Sequence, residues 1–79
     1  MDSLELRVKE LILEQLKITD EMFSLELSVG DIPEWDSAAH VTLIMAIEET
    51  FDIDLDISDT IDIEDVFDII ATLKKYNVG

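Results

Sequence analysis

Asp36, Ser37 and His40 carry groups from which chemistry could be built. A serine three residues before a histidine invites a hydrolase reading, in which the imidazole activates the hydroxyl. The surrounding residues do not support it. No G-x-S-x-G elbow encloses Ser37, and no third group is evident to orient the base. His40 points instead toward the apolar stripe of its own helix, where a packed or partly exposed structural histidine is expected. A second cluster, Asp52, Asp54 and Asp56, has the spacing of a calcium loop. Such a loop needs glycine at its sixth position and glutamate at its twelfth. Those positions hold Ile57 and Ile63, so a calcium-responsive module is the weakest reading and no metal site is expected.

The Asp-Ser pair remains. On the dipeptide alone it reads as a plain helix cap, because Asp and Ser are the residues that caps are made of. Its setting adds a second reading. Free backbone N–H groups and the helix dipole stabilise phosphate groups at helix N-termini. A serine there is a good place to carry a phosphodiester, and the neighbouring carboxylate of Asp36 can help hold Mg²⁺ for an enzyme that installs one.

The elements that must position these residues follow from periodicity. Leu4, Val8, Leu11, Ile12 and Leu16 form one helical stripe, which predicts a first helix over Ser3 to Lys17, capped by Asp2 or Ser3. A long connection follows, from Thr19 to Asp36, punctuated by Gly30 and Pro33. Phe23 and Trp35 are expected to anchor it. Ser37 begins a second helix that runs to about Phe51, with His40, Leu43, Ile44, Ile47 and Phe51 on its core side. Val41, Met45 and Glu48 lie on an adjacent strip that includes Ser37, with Thr42 and Glu49 flanking it. Beside Ser37, Val41 and Met45 make a small apolar spot ringed by acid, which suits transient docking. A short helical turn is expected around Ser58 to Asp62. Asp62 is expected to cap a last helix with Glu64 and Asp65 in its first turn, Lys74 and Lys75 in its last, and Asn77 or Gly79 at its end.

Residues 24–29 and 52–57 alternate polar and apolar in the manner of strands. Aspartate is a poor strand former, and two short strands alone are marginal. The same alternation serves a loop that pins every second side chain onto a helical core. The expected fold is therefore all-α: a single domain over residues 1–79, a small three- or four-helix bundle with a long first loop.

Charge limits the partners. The formal net charge is −15, and between Lys17 and Lys74 there are sixteen acids and no lysine or arginine. Phosphate-rich nucleic acid and anionic membrane surfaces would be repelled, so neither is an expected partner. Basic protein surfaces are favoured, with charge steering the encounter. Hydrophobic residues make up 48%, too many for a disordered chain. There is no cysteine, which excludes disulfides and thiolate metal sites. No apolar run is long enough to span a bilayer, and charges interrupt the apolar residues from Met1 to Leu13, unlike a signal peptide. The cytoplasm is the default compartment.

One resemblance covers nearly the whole chain. Trp35-Asp36-Ser37-Ala38-Ala39-His40-Val41, continued by Leu43-Ile44-Met45-Ala46-Ile47-Glu48-Glu49-Thr50-Phe51, resembles the acyl carrier proteins, in which an Asp-Ser pair opens a helix ending in Glu-Glu-x-Phe. Arg7 to Ile12 with Glu14-Gln15-Leu16 is similar to that family's opening helix, and Ile61 to Val66 to the entry of its last. The resemblance implies a carrier, not an enzyme, with covalent phosphopantetheine on Ser37 holding an acyl or aminoacyl group as a thioester. It implies that Asp36 serves the phosphopantetheinyl transferase, and that Val41, Met45, Glu48 and Glu49 meet partner enzymes. Those partners are a loading ligase and downstream transferases with basic surfaces, and the carrier is expected to be a monomer. Ala38 replaces the family's usual leucine, and Ala39 and Thr42 stand where fatty-acid-synthesis members commonly carry acids. With Trp35, this looks more like a specialised free-standing carrier than one for bulk fatty-acid synthesis. The rival from another class is an unmodified acidic adaptor in which Ser37 is only a cap.

Overall fold

The computed structural model describes residues 2–78. Four α-helices follow one another: α1 (Ser3–Leu16), α2 (Ser37–Phe51), α3 (Ile57–Asp62) and α4 (Val66–Lys75), with a 3₁₀ turn at Asp20–Met22. No strand forms among the described residues. The architecture is the all-α bundle that the stripes predict.

α1 begins with a reciprocal cap. The Asp2 carboxylate accepts the Glu5 N–H at 2.8 Å, and the Glu5 carboxylate accepts the Asp2 N–H at 3.0 Å, so two otherwise orphaned donors are satisfied. Lys17 lies just past the helix in the left-handed region (φ 56°), ending it one residue earlier than the stripe suggests. The α1 stripe packs on α2 and α4, and Val8, Ile12, Leu43, Ile47, Val66 and Ile69 are fully buried between them. On α2 the buried residues are Leu43, Ile47 and Phe51. His40 and Ile44, expected on the core side, are half-buried at its margin.

The long first loop is held by side chains rather than by a sheet. Ile18, Leu27 and Trp35 are buried and Leu25, Val29 and Ile32 are half-buried, so the alternation does pin the loop to the core. One isolated antiparallel bridge joins Ser28 to Asp65, with Val29 N–H donating to the Glu64 carbonyl at 2.9 Å and Val66 N–H to the Leu27 carbonyl at 3.0 Å. These bonds tie the loop to the start of α4. In residues 52–57 the pinning stops short: Leu55 is buried, but Ile57 is 76% exposed.

The last helix starts later than expected. Asp62 ends α3, and the cap of α4 is Asp65, whose carboxylate accepts the Asp68 N–H at 2.7 Å. Ile63 is buried between the two helices and has extended backbone, which separates them. Lys74 and Lys75 occupy the last turn as expected, and Asn77 follows in the left-handed region (φ 63°). Gly79, the other expected stop, lies outside the described residues.

Candidate functional site: an exposed serine at the head of a groove

The turn before α2 is built around a tryptophan. Trp35 is fully buried. Its carbonyl accepts the Gly30 N–H at 2.7 Å, and its own N–H donates to the Ile32 carbonyl at 3.1 Å. Gly30 has φ +90°, a conformation that costs glycine nothing and other residues a strained backbone. This closed turn presents Asp36 at the surface. Trp35 is thus the loop anchor that the sequence suggests, and Phe23 is half-buried against the core.

Asp36, not Ser37, caps α2. Its Oδ1 accepts the Ala39 N–H at 2.8 Å and its carbonyl accepts the His40 N–H at 2.9 Å. Ser37 is the first helical residue, exposed, and its hydroxyl makes no hydrogen bond among the described residues. The backbone N–H groups of Ser37 and Ala38 come before the first intrahelical bond and have no acceptor there either. The cap-only role imagined for Ser37 is therefore filled by its neighbour.

His40 sits one turn along. The Trp35 indole N–H donates to His40 Nδ1 at 3.0 Å, and the rings stack with centroids 5.9 Å apart and planes at 30°. Trp35 and His40 are one structural unit, which gives His40 the structural role expected of it.

Beyond this pair an open apolar groove of about 230 Å³ runs between α2 and α3, lined by His40, Val41, Ile44, Met45, Thr60 and Ile61. Val41 is 60%, Met45 63% and Ile61 71% exposed. Sequence reasoning found Val41 and Met45 but missed Ile61 and Thr60, and with them the exposed Ile57 on the same helix. The signal was available in the i, i+4 pair of isoleucines in a segment otherwise polar.

A second, acidic groove of about 360 Å³ continues down α2, lined by Met45, Glu48, Glu49, Asp52, Ile53 and Asp54. Glu49 is exposed. Glu48 is half-buried, and its Oε2 accepts the Leu55 N–H at 2.9 Å. Glu48 thus shapes the α2–α3 connection as well as contributing charge. Asp52 follows α2 in the left-handed region (φ 53°). The triad of the calcium-like spacing is split: Asp56 instead caps α3 by accepting the Ser58 N–H at 3.2 Å. No three His, Asp or Glu side chains gather as a metal site among the described residues.

α3 contributes no buried side chain and is fastened from the far end of the chain. Asp59 accepts Lys75 Nζ and the Tyr76 hydroxyl, each at 2.7 Å, while the Tyr76 oxygen accepts the Asp56 N–H at 2.9 Å. The Lys75 and Tyr76 hydrogen bonds hold the Asp59 carboxyl below its usual value. The same bond to Asp59 pushes the Lys75 ammonium up. For Tyr76 the Asp56 N–H favours the phenolate, but the Asp59 carboxylate and burial outweigh it and raise the phenol.

These residues fit a phosphodiester-linked arm. The hydroxyl is exposed and unengaged, two free backbone donors lie beside it, and an apolar groove begins one turn away. The fold and site together define a small helical bundle with an exposed serine at the head of its second helix. No protein-family model matches the chain. The acyl carrier protein of Campylobacter lari is 35% identical over 71 residues, which cover 86% of this chain and 92% of that relative. The chain belongs to the acyl carrier protein family.

Proposed function

We propose that this chain is a single carrier domain that holds an acyl or aminoacyl cargo on phosphopantetheine attached to Ser37 and presents it to partner enzymes. The arm would supply a thiol that bonds the cargo as a thioester. The remaining work falls to the protein's own residues. The observation that carries the reading is the division of labour at the head of α2: Asp36 satisfies the helix, which leaves the Ser37 hydroxyl spare and exposed. Asp36 stands next to that hydroxyl, where it serves the transferase.

The partner face is the strip of Val41 and Met45 with Glu48 and Glu49 below them. Glu48, Glu49 and Asp52 crowd the C-terminal end of α2, which has no basic residue in its last turn. Helix dipoles disfavour acids there. Glu48 has a structural return in the Leu55 N–H it accepts, but Glu49 and Asp52 break the local rule with no side-chain hydrogen bond among the described residues, which is what a surface kept for binding looks like. Partners with basic rims and a small apolar contact fit it, and steering by charge allows fast encounter with ready release. The cargo enzymes are a loading ligase and downstream transferases.

A specialised pathway is favoured over bulk fatty-acid synthesis by the front of α2. Its first turn carries no acid, and Thr42 turns its hydroxyl back to the Ala38 carbonyl at 3.3 Å. The docking charge is thereby confined to the rear half of the helix.

Co-expression with a broad-specificity phosphopantetheinyl transferase tests the proposal. Intact mass should show one covalent addition on the wild-type chain and none on Ser37→Ala, with both proteins folded. An unmodified acidic adaptor would show none on either.

A further inference from the structure

The Trp35–His40 pair fixes what His40 offers to its surroundings. An indole N–H can only donate, so Nδ1 must be the unprotonated acceptor, and a neutral imidazole then carries its proton on Nε2. Nε2 has no partner among the described residues, and no buried side-chain nitrogen or oxygen there lacks one, so Nε2 opens to solvent. The histidine is half-buried and lines the upper end of the α2–α3 groove. Helical side chains lean toward the N-terminus, so His40 covers the turn that holds Ser37. At a spacing of three residues the two β-carbons stand about 5–6 Å apart.

The rest of the groove offers little polar competition. Val41, Ile44, Met45 and Ile61 are apolar, and the Thr60 hydroxyl donates to the Ile57 carbonyl at 2.7 Å. The Asp36 carboxylate accepts the Ala39 N–H. The free donors beside Ser37 are therefore its own N–H, that of Ala38, and Nε2–H of His40.

We infer that His40 is a positioning residue for the group carried on Ser37: its Nε2–H donates a hydrogen bond to a phosphodiester oxygen, and Trp35 holds the ring in the tautomer and orientation that permit it. The inference rests on the proposed function, since it needs a diester at Ser37. A bond from a neutral donor to an anionic oxygen is of the stronger, charge-assisted kind. Anchoring the first linkage on the groove side of the helix directs whatever follows along the α2–α3 groove instead of into open solvent. Trp35 touches nothing on the arm and acts through His40 alone.

Two measurements test it. Long-range ¹H–¹⁵N correlation of the unloaded chain, at a pH above the ordinary imidazole range, should show the Nε2–H tautomer dominant. In Trp35→Phe the Nδ1–H form should rise several-fold. After loading, confirmed by intact mass, the ³¹P resonance of the diester should shift in His40→Leu relative to wild type. It should return toward the wild-type position in His40→Gln, whose amide can accept from Trp35 and still donate. Both His40 variants keep Trp35 and the helix cap; His40→Leu loses the acceptor of the indole N–H, so the helical content of each variant is checked by circular dichroism before its spectrum is compared.

A loaded protein whose ³¹P position is the same in all variants overturns the inference and leaves the carrier reading intact. A dominant Nδ1–H tautomer in the unloaded wild type overturns it independently of loading. Absence of any mass addition removes the carrier reading and this inference with it, and is seen before any spectrum is taken.

Discussion

Breaking the Trp35–His40 pair should register as a coupling energy between two side chains that belong to different parts of the chain's local structure. Trp35→Phe removes the indole N–H that bonds His40 at 3.0 Å, worth about 1 kcal/mol net. It also removes part of a ring that is fully buried. Losing one or two methylene equivalents from such a site costs about 1–2 kcal/mol. The sum is about 2–3 kcal/mol, or roughly 10–20 °C in Tm for a domain of this size. His40→Ala leaves the indole N–H without its acceptor, which costs about 1–2 kcal/mol. In the double variant the same hydrogen bond cannot be lost twice. The combined loss should fall short of the sum of the single losses by about 1 kcal/mol. Urea denaturation of the four proteins measures this, and differences in helix propensity at position 40 cancel in the cycle. Strict additivity within about 0.3 kcal/mol would show that the pair is a contact without energetic weight, and would remove the basis for Trp35 as the holder of His40.

Three further outcomes follow. With a net charge of −15 the native state repels itself, so added NaCl or Mg²⁺ should raise Tm, and a flat titration would contradict that. The clamp on α3 has a defined pH window. Because the Asp59 pKa is lowered from 3.8, its contribution is present above that value and lost as pH falls through the lower, folded one. Because Lys75 is raised from 10.5 and Tyr76 from 10.0, theirs is present below those values and lost as pH rises through the folded ones. Tyr76→Phe should therefore speed amide exchange in α3 at neutral pH more than in α1, and equal acceleration in both would argue against a local clamp. Asp52→Gly relieves a left-handed non-glycine residue and removes an acid at the negative end of α2, so stability should rise by up to about 1 kcal/mol in thermal melts, while association with a basic partner weakens.

The helices were legible because their apolar residues repeat at helical spacing over ten or more positions, as Leu4 to Leu16 and Val66 to Leu73 do. The strand-like alternations resolved correctly for two reasons: aspartate at every second position of 52–57 is a poor ladder former, and in 24–29 Leu25, Leu27 and Val29 serve to pin a loop onto the core. The start of α4 was misplaced by three residues because Asp62 and Asp65 are equally good caps. What separates them is the burial of Ile63, a tertiary fact. At the site, the start of α2 at Ser37 was legible from the motif, yet the identity of the capping residue was not. Asp and Ser cap alike, and only the hydrogen bond from Ala39 distinguishes them. The Trp35–His40 bond was invisible for the same kind of reason: nothing in spacing says which nitrogen of a histidine meets an indole five residues away. The α3 side of the groove was missed because its signal is one i, i+4 pair, Ile57 and Ile61, in a six-residue helix too short to repeat it as a stripe.

Peptide mapping by tandem mass spectrometry, after incubation with coenzyme A and a competent transferase, addresses the central claim most directly. The account requires that the added group reside on the peptide carrying residues 36–40, at the serine oxygen, and at none of Ser3, Ser24, Ser28 or Ser58. A folded chain that leaves that oxygen bare, or takes the group elsewhere, would contradict it.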